Sequence, residues 1–344
     1  MLCPDGPDHR LGVKALDDLL EVFVPRPGTA QGQGQTANPR PANRSEPVVE
    51  ISSSQSAAGK SQLLYYLTAV AILPSRLGDI RLGGRDAAVV FIDADGRFDA
   101  SRLLTVARRI VQQKMKPQTM DREGELKLHD DIENLLIDSL QHVHAFRPQS
   151  STSLLATLHS LEPYLFNLPR HLSSNRHLHA ILIDSMTAFF WQDKLRDQIA
   201  RIEEIGHPRA EIERNRKERQ SFYMADLYAE LVKELKRLQH VFGCAVVHTT
   251  TAWVGRSSAG DLPGVVETAT SFRCPLPAPW GLFPWLRVVV SSSSPSVGGK
   301  RRFSGCVNGW AREDWPRRFI EGAQRRNGGR FVFHANCDGV EMAD

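Results

Sequence analysis

At residues 54–61 the chain reads SQSAAGKS, which is Ser54-Gln55-Ser56-Ala57-Ala58-Gly59-Lys60-Ser61. This octapeptide matches the phosphate-binding loop Gly-x-x-x-x-Gly-Lys-Ser/Thr at every position except the first. A short apolar run precedes it at 48–51, and a stretch with helical spacing follows it at 62–73. The motif requires a strand that enters the loop and a helix that leaves it, so the octapeptide predicts a nucleotide-binding α/β fold.

The chemistry of phosphate binding explains these residue types. A tight turn before a helix directs backbone N–H groups and the positive end of the helix dipole towards phosphate oxygens. Lys60 is then expected to reach the β- and γ-phosphates of ATP, and the Ser61 hydroxyl to coordinate Mg²⁺. Ser54 replaces the first glycine; if that position needs a positive φ, the loop is distorted at a cost on the order of 1 kcal/mol. The alternative is that Ala-Ala-Gly-Lys-Ser only caps a helix.

The rest of the chain alternates between short apolar runs and amphipathic stretches. The apolar runs, which predict strands, lie at 48–51, 87–92, 143–146, 180–183 and 245–247. The amphipathic stretches, which predict helices, lie at 62–73, 98–111, 153–165 and 224–239. Strands buried on both faces and separated by helices indicate a mostly parallel central sheet flanked by helices. Weaker patterns predict a strand at 286–290 and a closing hairpin from 331–334 and 339–341.

Three regions are predicted along the chain. Residues 1–24 contain a short helix, and residues 25–46, rich in Pro, Gly and Gln, form a disordered linker. Residues 47–344 form the core, with a low-complexity basic insertion near 291–330. No apolar stretch approaches the roughly 20 residues that cross a bilayer, and the start lacks the parts of a signal peptide. The five cysteines contain no Cys-x-x-Cys pair, so we expect a reducing compartment, the cytosol or the nucleus.

Two acidic residues at strand ends are candidates for the chemistry of nucleotide hydrolysis. Asp184 ends the apolar run AILID, the form of a Walker B strand whose carboxylate holds Mg²⁺, usually through water. Asp95 lies in FIDADGRF, where the strand after the loop unit ends in two acids and a glycine. A carboxylate there lies near the nucleotide and is suited to orient an attacking water. For both residues the alternative is a turn or helix-capping aspartate.

Four segments resemble the eukaryotic RecA-type recombinases, and among them the recombinase paralogues. They read EISSSQSAAGKSQLLYYLTAVAIL at 50–73, FIDADGRFDASRLL at 91–104, STSLLATLHSLEPYLF at 151–166 and ILIDSMTAFFW at 181–191. The stretch DSMTAFFW is the most specific, because most other P-loop enzymes lack it. The resemblance is good over residues 47–251 and thin afterwards, apart from DGVE at 338–341. It implies a RecA-like P-loop NTPase core that binds ATP and Mg²⁺.

The chain departs from active recombinases at positions that matter for hydrolysis. Those enzymes carry Glu where this chain has Asp95, and a γ-phosphate-sensing glutamine where it has Thr251. They also carry an N-terminal DNA-binding domain and a filament-forming segment, where only a short helix and a linker are expected here. The resemblance therefore implies a nuclear accessory subunit in double-strand break repair by homologous recombination, with weak or no hydrolysis of bound ATP. An active DNA-dependent ATPase or strand-exchange recombinase is the alternative.

The expected partners are a sister recombinase paralogue and single-stranded DNA, on which the complex would load or stabilise recombinase. A docking face for the paralogue should be partly apolar and should make the isolated chain poorly soluble. Residues 287–330 hold ten Lys and Arg against three acids. The candidate DNA contacts are Lys300, Arg301, Arg302, Arg317, Arg318, Arg325 and Arg326, with Trp310, Trp315 and Phe319 as possible stacking surfaces. The alternative is a solvated insertion whose arginines contact nothing.

Overall fold

The structure is a computed structural model that describes residues 11–23, 46–115, 122–218, 221–252, 272–292, 300–310 and 315–343. Of the predicted linker, only Glu46 lies within these residues. The helices are α1 (Lys14–Phe23), α2 (Lys60–Ile72), α3 (Ala100–Lys114), α4 (Arg122–Leu140), α5 (Ser151–Phe166), α6 (Phe190–Glu203), α7 (Arg209–Lys217), α8 (Met224–Phe242) and α9 (Arg317–Arg325). The strands are β1 (Val48–Ser53), β2 (Arg76–Leu77), β3 (Ile80–Arg81), β4 (Ala88–Asp93), β5 (Val143–Phe146), β6 (Leu178–Asp184), β7 (Ala245–Thr251), β8 (Leu286–Ser292), β9 (Arg301–Val307), β10 (Arg330–Asn336) and β11 (Gly339–Ala343).

One large twisted sheet organises these elements. Within the described residues its nine strands lie in the order β11-β10-β9-β8-β1-β7-β6-β4-β5, and β2 pairs with β3 apart from it. In this spatial order, the strands β8, β1, β7, β6, β4 and β5 each run parallel to their neighbour. At the other end of the sheet, the strands β8, β9, β10 and β11 form antiparallel pairs. The predicted α/β class with a mostly parallel central sheet is confirmed, and so is the closing hairpin, which is β10–β11.

Alternate residues of the parallel strands enter two separate cores. Val89 and Phe91 of β4 pack on the side of α2 and α3, whereas Val90 and Ile92 pack on the side of α5 and α8. Burying such side chains contributes about 1.5–3 kcal/mol each, and because both faces are covered these strands read as continuous apolar runs. The parallel arrangement brings the carboxyl ends of β1, β4, β6 and β7 to one edge of the sheet, where ligands of such folds bind.

The N-terminal helix α1 packs onto this core. Leu16, Leu19 and Leu20 are buried in the same cluster as α2 and β8. The backbone N–H groups of Leu11 and Gly12 donate to the Asp17 carboxylate at 2.6 and 3.0 Å, which fixes the turn that enters the helix. The described part of the N-terminal region is therefore held by burial of leucines.

Helix α9 covers the outer side of α1. A Cβ atom on Gly322 would lie 2.6 Å from Val22 Cγ1, so only glycine allows this approach of the two helices. Arg326, just after α9, donates to Glu21 Oε2 at 2.9 Å. Residues near the two ends of the described chain thus hold each other in place.

The stretch near 291–330, for which the sequence predicts a low-complexity insertion, contains regular structure where it is described. Residues 301–307 form β9 inside the sheet, and residues 317–325 form α9. Both elements contribute side chains to the core, among them Phe303 and Ala323. Separately, none of the described helices combines the length and the apolarity that a bilayer span needs.

Candidate nucleotide-binding site

The loop after β1 presents the N-terminus of α2 to solvent. Gly59 adopts φ +95° immediately before α2, and no side chain caps the first turn of that helix. A Cβ atom at Gly59 would also lie 2.7 Å from Phe303 Cδ1. Both the positive φ and this contact therefore exclude a larger residue. Ala57 has φ +56°, whereas Ser54 does not adopt a positive φ, so the strain considered for a serine there does not arise. The uncapped N–H groups of α2 are available to an anion.

Lys60, the first residue of α2, bends back over this loop. Its Nζ donates to Ser53 Oγ at 2.6 Å, and Ser53 Oγ donates in turn to the carbonyl of Gln55 at 2.7 Å. Burial lowers the pKa of Lys60, while the negative charges of Asp184 and Asp95 oppose that shift. The amine therefore lies close to both acids that the sequence proposes for the site.

Asp184 ends β6 at the same edge of the sheet. It is buried, and its Oδ1 accepts a hydrogen bond of 2.5 Å from the Thr249 hydroxyl on β7. Its backbone carbonyl accepts the N–H groups of Ala94 at 2.7 Å and of Asp95 at 3.1 Å. The ends of β4 and β6 are thus joined, which fixes the position of the Asp95 segment relative to Asp184.

The two acids of the FIDADGRF segment have different surroundings. Asp93 is buried, accepts the N–H groups of Arg97 and Phe98 at 2.8 and 3.0 Å, and pairs with Arg147 at 2.9 Å. These partners make Asp93 a structural residue of the turn. Asp95 instead faces the cavity, and burial together with the charge of Asp184 raises its pKa, opposed by Arg97 and Lys60.

A cavity of about 760 Å³ brings most of the predicted site residues together. Its lining includes Ser56, Ala57, Ala58, Gly59, Lys60, Ser61, Asp95, Asp184 and Thr251. Ser54 and Gln55 are exposed and lie outside this lining. Pockets for small molecules usually span about 300–1,000 Å³, so the size suits a nucleotide.

The donor set also suits a magnesium ion that shares its ligands with phosphate. Among the described residues, no cluster of three or more His, Cys, Asp or Glu side chains could hold a metal ion. Mg²⁺ in nucleotide sites is commonly bound by one or two protein oxygens together with phosphates and water. Ser61 and Asp184 fit that arrangement, because both line the cavity beside Lys60.

Thr251, at the predicted sensor position, lies at the exposed end of β7. Its N–H group donates to Thr187 Oγ1 at 3.0 Å, and Thr187 Oγ1 lies 2.9 Å from the Ser185 hydroxyl. The end of β7 is therefore connected to the segment after Asp184. A threonine side chain is shorter than glutamine and lacks its amide.

Several residues line this cavity although the sequence did not predict them there. Arg301 and Phe303 of β9 line the cavity, as do Asn336 and Cys337 after β10. Arg102 of α3 also lines it and donates to Gln62 Oε1 and to the carbonyls of Cys337 and Gly339. The four residues after position 300 lie more than 200 positions from the loop at 54–61 in sequence, and no local pattern connects them to it.

The candidate DNA contacts do not form one patch. Lys300 pairs with Glu341 at 3.2 Å, and Arg326 pairs with Glu21. Arg301 lines the cavity, whereas Arg302 does not. Arg317, Arg318 and Arg325 lie on α9, where Arg318 stacks over Phe319 and Arg325 lies 3.6 Å from Glu321.

The three aromatic residues proposed as stacking surfaces differ in exposure. Trp315 and Phe319 are partly buried and pack against the core, while Trp310 is 36% exposed. Of the three, Trp310 is the most exposed. Binding of DNA by this region stays a prediction.

One helix presents an apolar face to solvent. The exposed large apolar residues on and just after α6 follow a spacing of three or four, and they are Trp191, Leu195, Ile199, Ile202 and Ile205. Soluble monomers seldom expose contiguous apolar patches larger than a few hundred Å². We call these five residues the α6 stripe.

Comparison with known proteins agrees with the motifs. The DNA repair protein XRCC2 of Mus musculus is 33% identical over 137 residues, which is 40% of this chain and 39% of that protein. The chain resembles XRCC2, a RecA-like paralogue. A homolog of XRCC2 from Arabidopsis thaliana is 25% identical over 217 residues, which covers 59% of this chain and 53% of that protein.

The likeness to XRCC2 confirms the predicted relation to the RecA-type recombinase paralogues, and among them it indicates X-ray repair cross-complementing protein two. The chain spans about half or less of the length of these relatives. No protein-family model matches it. The RecA-like fold is thus supported by both sequence similarity and the parallel sheet with its loop between β1 and α2.

Proposed function

We propose that the chain is an accessory subunit in double-strand break repair by homologous recombination. In this role it joins a sister recombinase paralogue in the nucleus and assists recombinase loading or stabilisation on single-stranded DNA. It binds ATP with Mg²⁺ and hydrolyses it weakly or not at all. The observation that carries the proposal is the cavity in which Lys60, Ser61, Asp95 and Asp184 meet, in a chain that resembles a DNA repair protein.

The arrangement of charges supports ATP binding. The free N–H groups at the start of α2 would bind the phosphates, Lys60 would pair with the β- and γ-phosphates, and Ser61 and Asp184 would hold the metal ion. A bound magnesium ion would neutralise the charge that develops on those phosphates. Because Lys60 is largely desolvated, its interaction with phosphate would be stronger than at an open surface.

Two features support weak hydrolysis. Asp95 is one methylene shorter than the glutamate of active recombinases, so its carboxylate stands farther from an attacking water. Thr251 lacks the amide with which a glutamine would contact the γ-phosphate. Both departures favour a subunit that binds ATP over an enzyme that turns it over.

The partner assignment rests on similarity and on surface character. XRCC2 is named a DNA repair protein, and the resemblance to the recombinase paralogues implies an assembly of several subunits. The α6 stripe supports a state in which this chain is bound to another protein, because such a surface is unfavourable in water. An active DNA-dependent ATPase or strand-exchange recombinase is the competing function.

Nucleotide binding is tested by Lys60→Ala, measured by calorimetry with Mg²⁺ and ATP. We expect binding to be lost, since a neutral methyl group cannot replace the half-buried ammonium of Lys60. Lys114→Ala is the matched control, because Lys114 is exposed at the end of α3. Unchanged affinity of the Lys60→Ala variant would mean that the loop has only a structural role.

The accessory role is tested by ATP turnover with and without single-stranded DNA, and by co-purification from nuclear extract with mass spectrometry. We expect slow turnover and recovery of a recombinase paralogue. Turnover that rises strongly with single-stranded DNA in the isolated chain would favour the active recombinase instead.

A further inference from the structure

Strand β9 packs directly on the phosphate-binding loop. It runs antiparallel to β8, so it begins at the carboxyl edge of the parallel strands, where Phe303 pairs with Ser292, the last residue of β8. The Phe303 ring lies against Gly59, as the 2.7 Å approach of a hypothetical Cβ atom shows. The first residues of β9 therefore stand above the loop and the N-terminus of α2.

The two arginines at the start of β9 have opposite orientations. Side chains alternate along a strand, so Arg301 shares a face with Phe303 and Arg302 points the other way. The register agrees, since Arg301 pairs with Ala335, which also lines the cavity, and Arg302 pairs with His334, which does not. Of the two arginines, only Arg301 lines the cavity.

The cavity has an excess of positive charge. Its lining contains four cations, Lys60, Arg97, Arg102 and Arg301, against the two carboxylates Asp95 and Asp184. Arg102 is committed to Gln62 and to carbonyls of the β10–β11 turn. Within the described part of the chain, the side chain of Arg301 forms no hydrogen bond and no ion pair. It is a cation without an acidic partner on the wall of a site for a polyanion.

We infer that Arg301 binds the phosphate chain of a nucleotide held by the loop of the same chain. Guanidinium pairs well with phosphate oxygens, and its charge stays fixed at all accessible pH values. Arg301 would then act as a positioning residue at the nucleotide site and would not be a DNA contact. The inference rests on the proposed binding of ATP, and it assigns a second cation to that site beside Lys60.

The test compares Arg301→Ala with Arg302→Ala in the full chain, by calorimetry with ATP, tripolyphosphate and adenosine. The two variants remove the same side chain from adjacent exposed positions of one strand. We expect Arg301→Ala to weaken binding of ATP and tripolyphosphate about tenfold, the effect of one charge-assisted hydrogen bond, with adenosine unaffected. Arg302→Ala should leave all three affinities within about twofold of wild type.

Two further measurements separate a binding role from a structural one. The thermal midpoints of both variants should match wild type, and Arg301→Lys should recover part of the tripolyphosphate affinity because it restores the charge. Equal binding of tripolyphosphate by wild type and Arg301→Ala overturns the inference, as does a loss confined to adenosine.

Lys60→Ala, measured in the same series, separates the role of Arg301 from ATP binding by the loop. If Lys60→Ala loses ATP while Arg301→Ala binds normally, the role of Arg301 is rejected and ATP binding stands. If the wild-type chain binds neither ATP nor tripolyphosphate, the nucleotide part of the proposed function fails, and the inference fails with it.

Discussion

Asp95 combines two properties that bear on hydrolysis, a short side chain and a raised pKa. A misplacement of about 1 Å in a positioning group can reduce a rate on the order of a hundredfold. We therefore expect turnover by the wild-type chain well below the common range of roughly 1–1,000 per second. Asp95→Glu should raise the turnover number, because the longer side chain brings the carboxylate nearer to the water.

The pH dependence of this residual activity follows from the same residue. Burial and the charge of Asp184 raise the pKa of Asp95, so its basic form is depleted at low pH and the rate should increase as the pH rises through that value. Steady-state rates of wild type, Asp95→Glu and Asp95→Asn across pH check both points. An Asp95→Asn variant as fast as wild type would remove Asp95 from the reaction.

Glu50 is a buried acidic residue whose partners could not be predicted from the sequence. It interrupts the apolar run of β1, yet it is only 2% exposed. Its partners come from neighbouring strands, since Thr250 donates to Oε1 at 2.7 Å and Arg287 lies 3.3 Å from Oε2. A buried carboxylate needs such partners, and they lie about 200 residues away in sequence, so no local pattern could identify them.

At the scale of elements, the ion pairs of Glu341 fasten the closing hairpin to its surroundings. Glu341 on β11 accepts from Arg109 Nε of α3 at 2.7 Å and pairs with Lys300 next to β9. These interactions, led by Arg109, lower the pKa of Glu341 to about 2. A carboxylate whose pKa is lower in the folded than in the unfolded state stabilises the fold at pH values above its unfolded-state pKa. This stabilisation is lost as the pH falls through the folded-state pKa.

We expect Glu341→Gln to reduce the free energy of unfolding at pH 7 by about 1–2 kcal/mol, after discounting for partial exposure. The difference between wild type and variant should shrink from near pH 4.5 downwards and vanish near pH 2. Urea titrations at several pH values measure it. A difference that is constant from pH 7 to pH 2 would show that the charge of Glu341 contributes nothing.

The α6 stripe gives a second prediction for an element. Leu195→Gln combined with Ile202→Gln should raise the concentration at which the isolated chain aggregates, because two exposed apolar side chains of a contiguous patch are removed. Leu282→Gln is the control, since Leu282 is 85% exposed but stands outside the stripe. Light scattering against concentration gives the comparison. The idea fails if the double variant and the control aggregate alike.

The elements that could be predicted are those with local signatures. The loop at 54–61, the apolar strands and the helices between them each carry their pattern within about 15 residues, and all appear in the structure. Strand β9 was missed because its residues are mostly exposed or half-buried, and only Phe303 and Gly305 are buried in it. Helix α9 was missed because four of its nine residues are charged and its contact with α1 is nonlocal.

Some residues of the candidate site could likewise be predicted from the sequence, and others could not. The loop, Asp95 and Asp184 were predicted because they follow strands of one parallel sheet, whose carboxyl ends must meet. Arg301 and Phe303 were not, because the antiparallel end of the sheet places them there and its strand order cannot be read from these residues. Arg102 of α3 was missed because its hydrogen bonds to the carbonyls of Cys337 and Gly339 are nonlocal.

At the scale of the whole molecule, α9 carries three of the arginines that remain candidate DNA contacts. Replacing Arg317, Arg318 and Arg325 with Ala should flatten the dependence of log affinity on log salt by about two units, since each phosphate contact on a single strand contributes about 0.7. A triple substitution at Arg209, Arg214 and Lys217 of α7, all exposed, removes the same charge elsewhere. Fluorescence anisotropy with labelled single-stranded DNA, in the purified complex, gives the slopes. Equal slopes for both triple variants would assign the contact to another surface.

The antiparallel end of the sheet has a consequence for shortened gene products. Strand β9 pairs with β8 from Val288, opposite Val307, to Ser292, opposite Phe303. A stop codon before Lys300 would leave β8 as an open edge with unpaired backbone groups and three buried valines beside it, a surface that recruits other strands. Alleles truncated there should therefore be null through loss of the polypeptide to aggregation and proteolysis, even though every residue of the phosphate loop is still encoded.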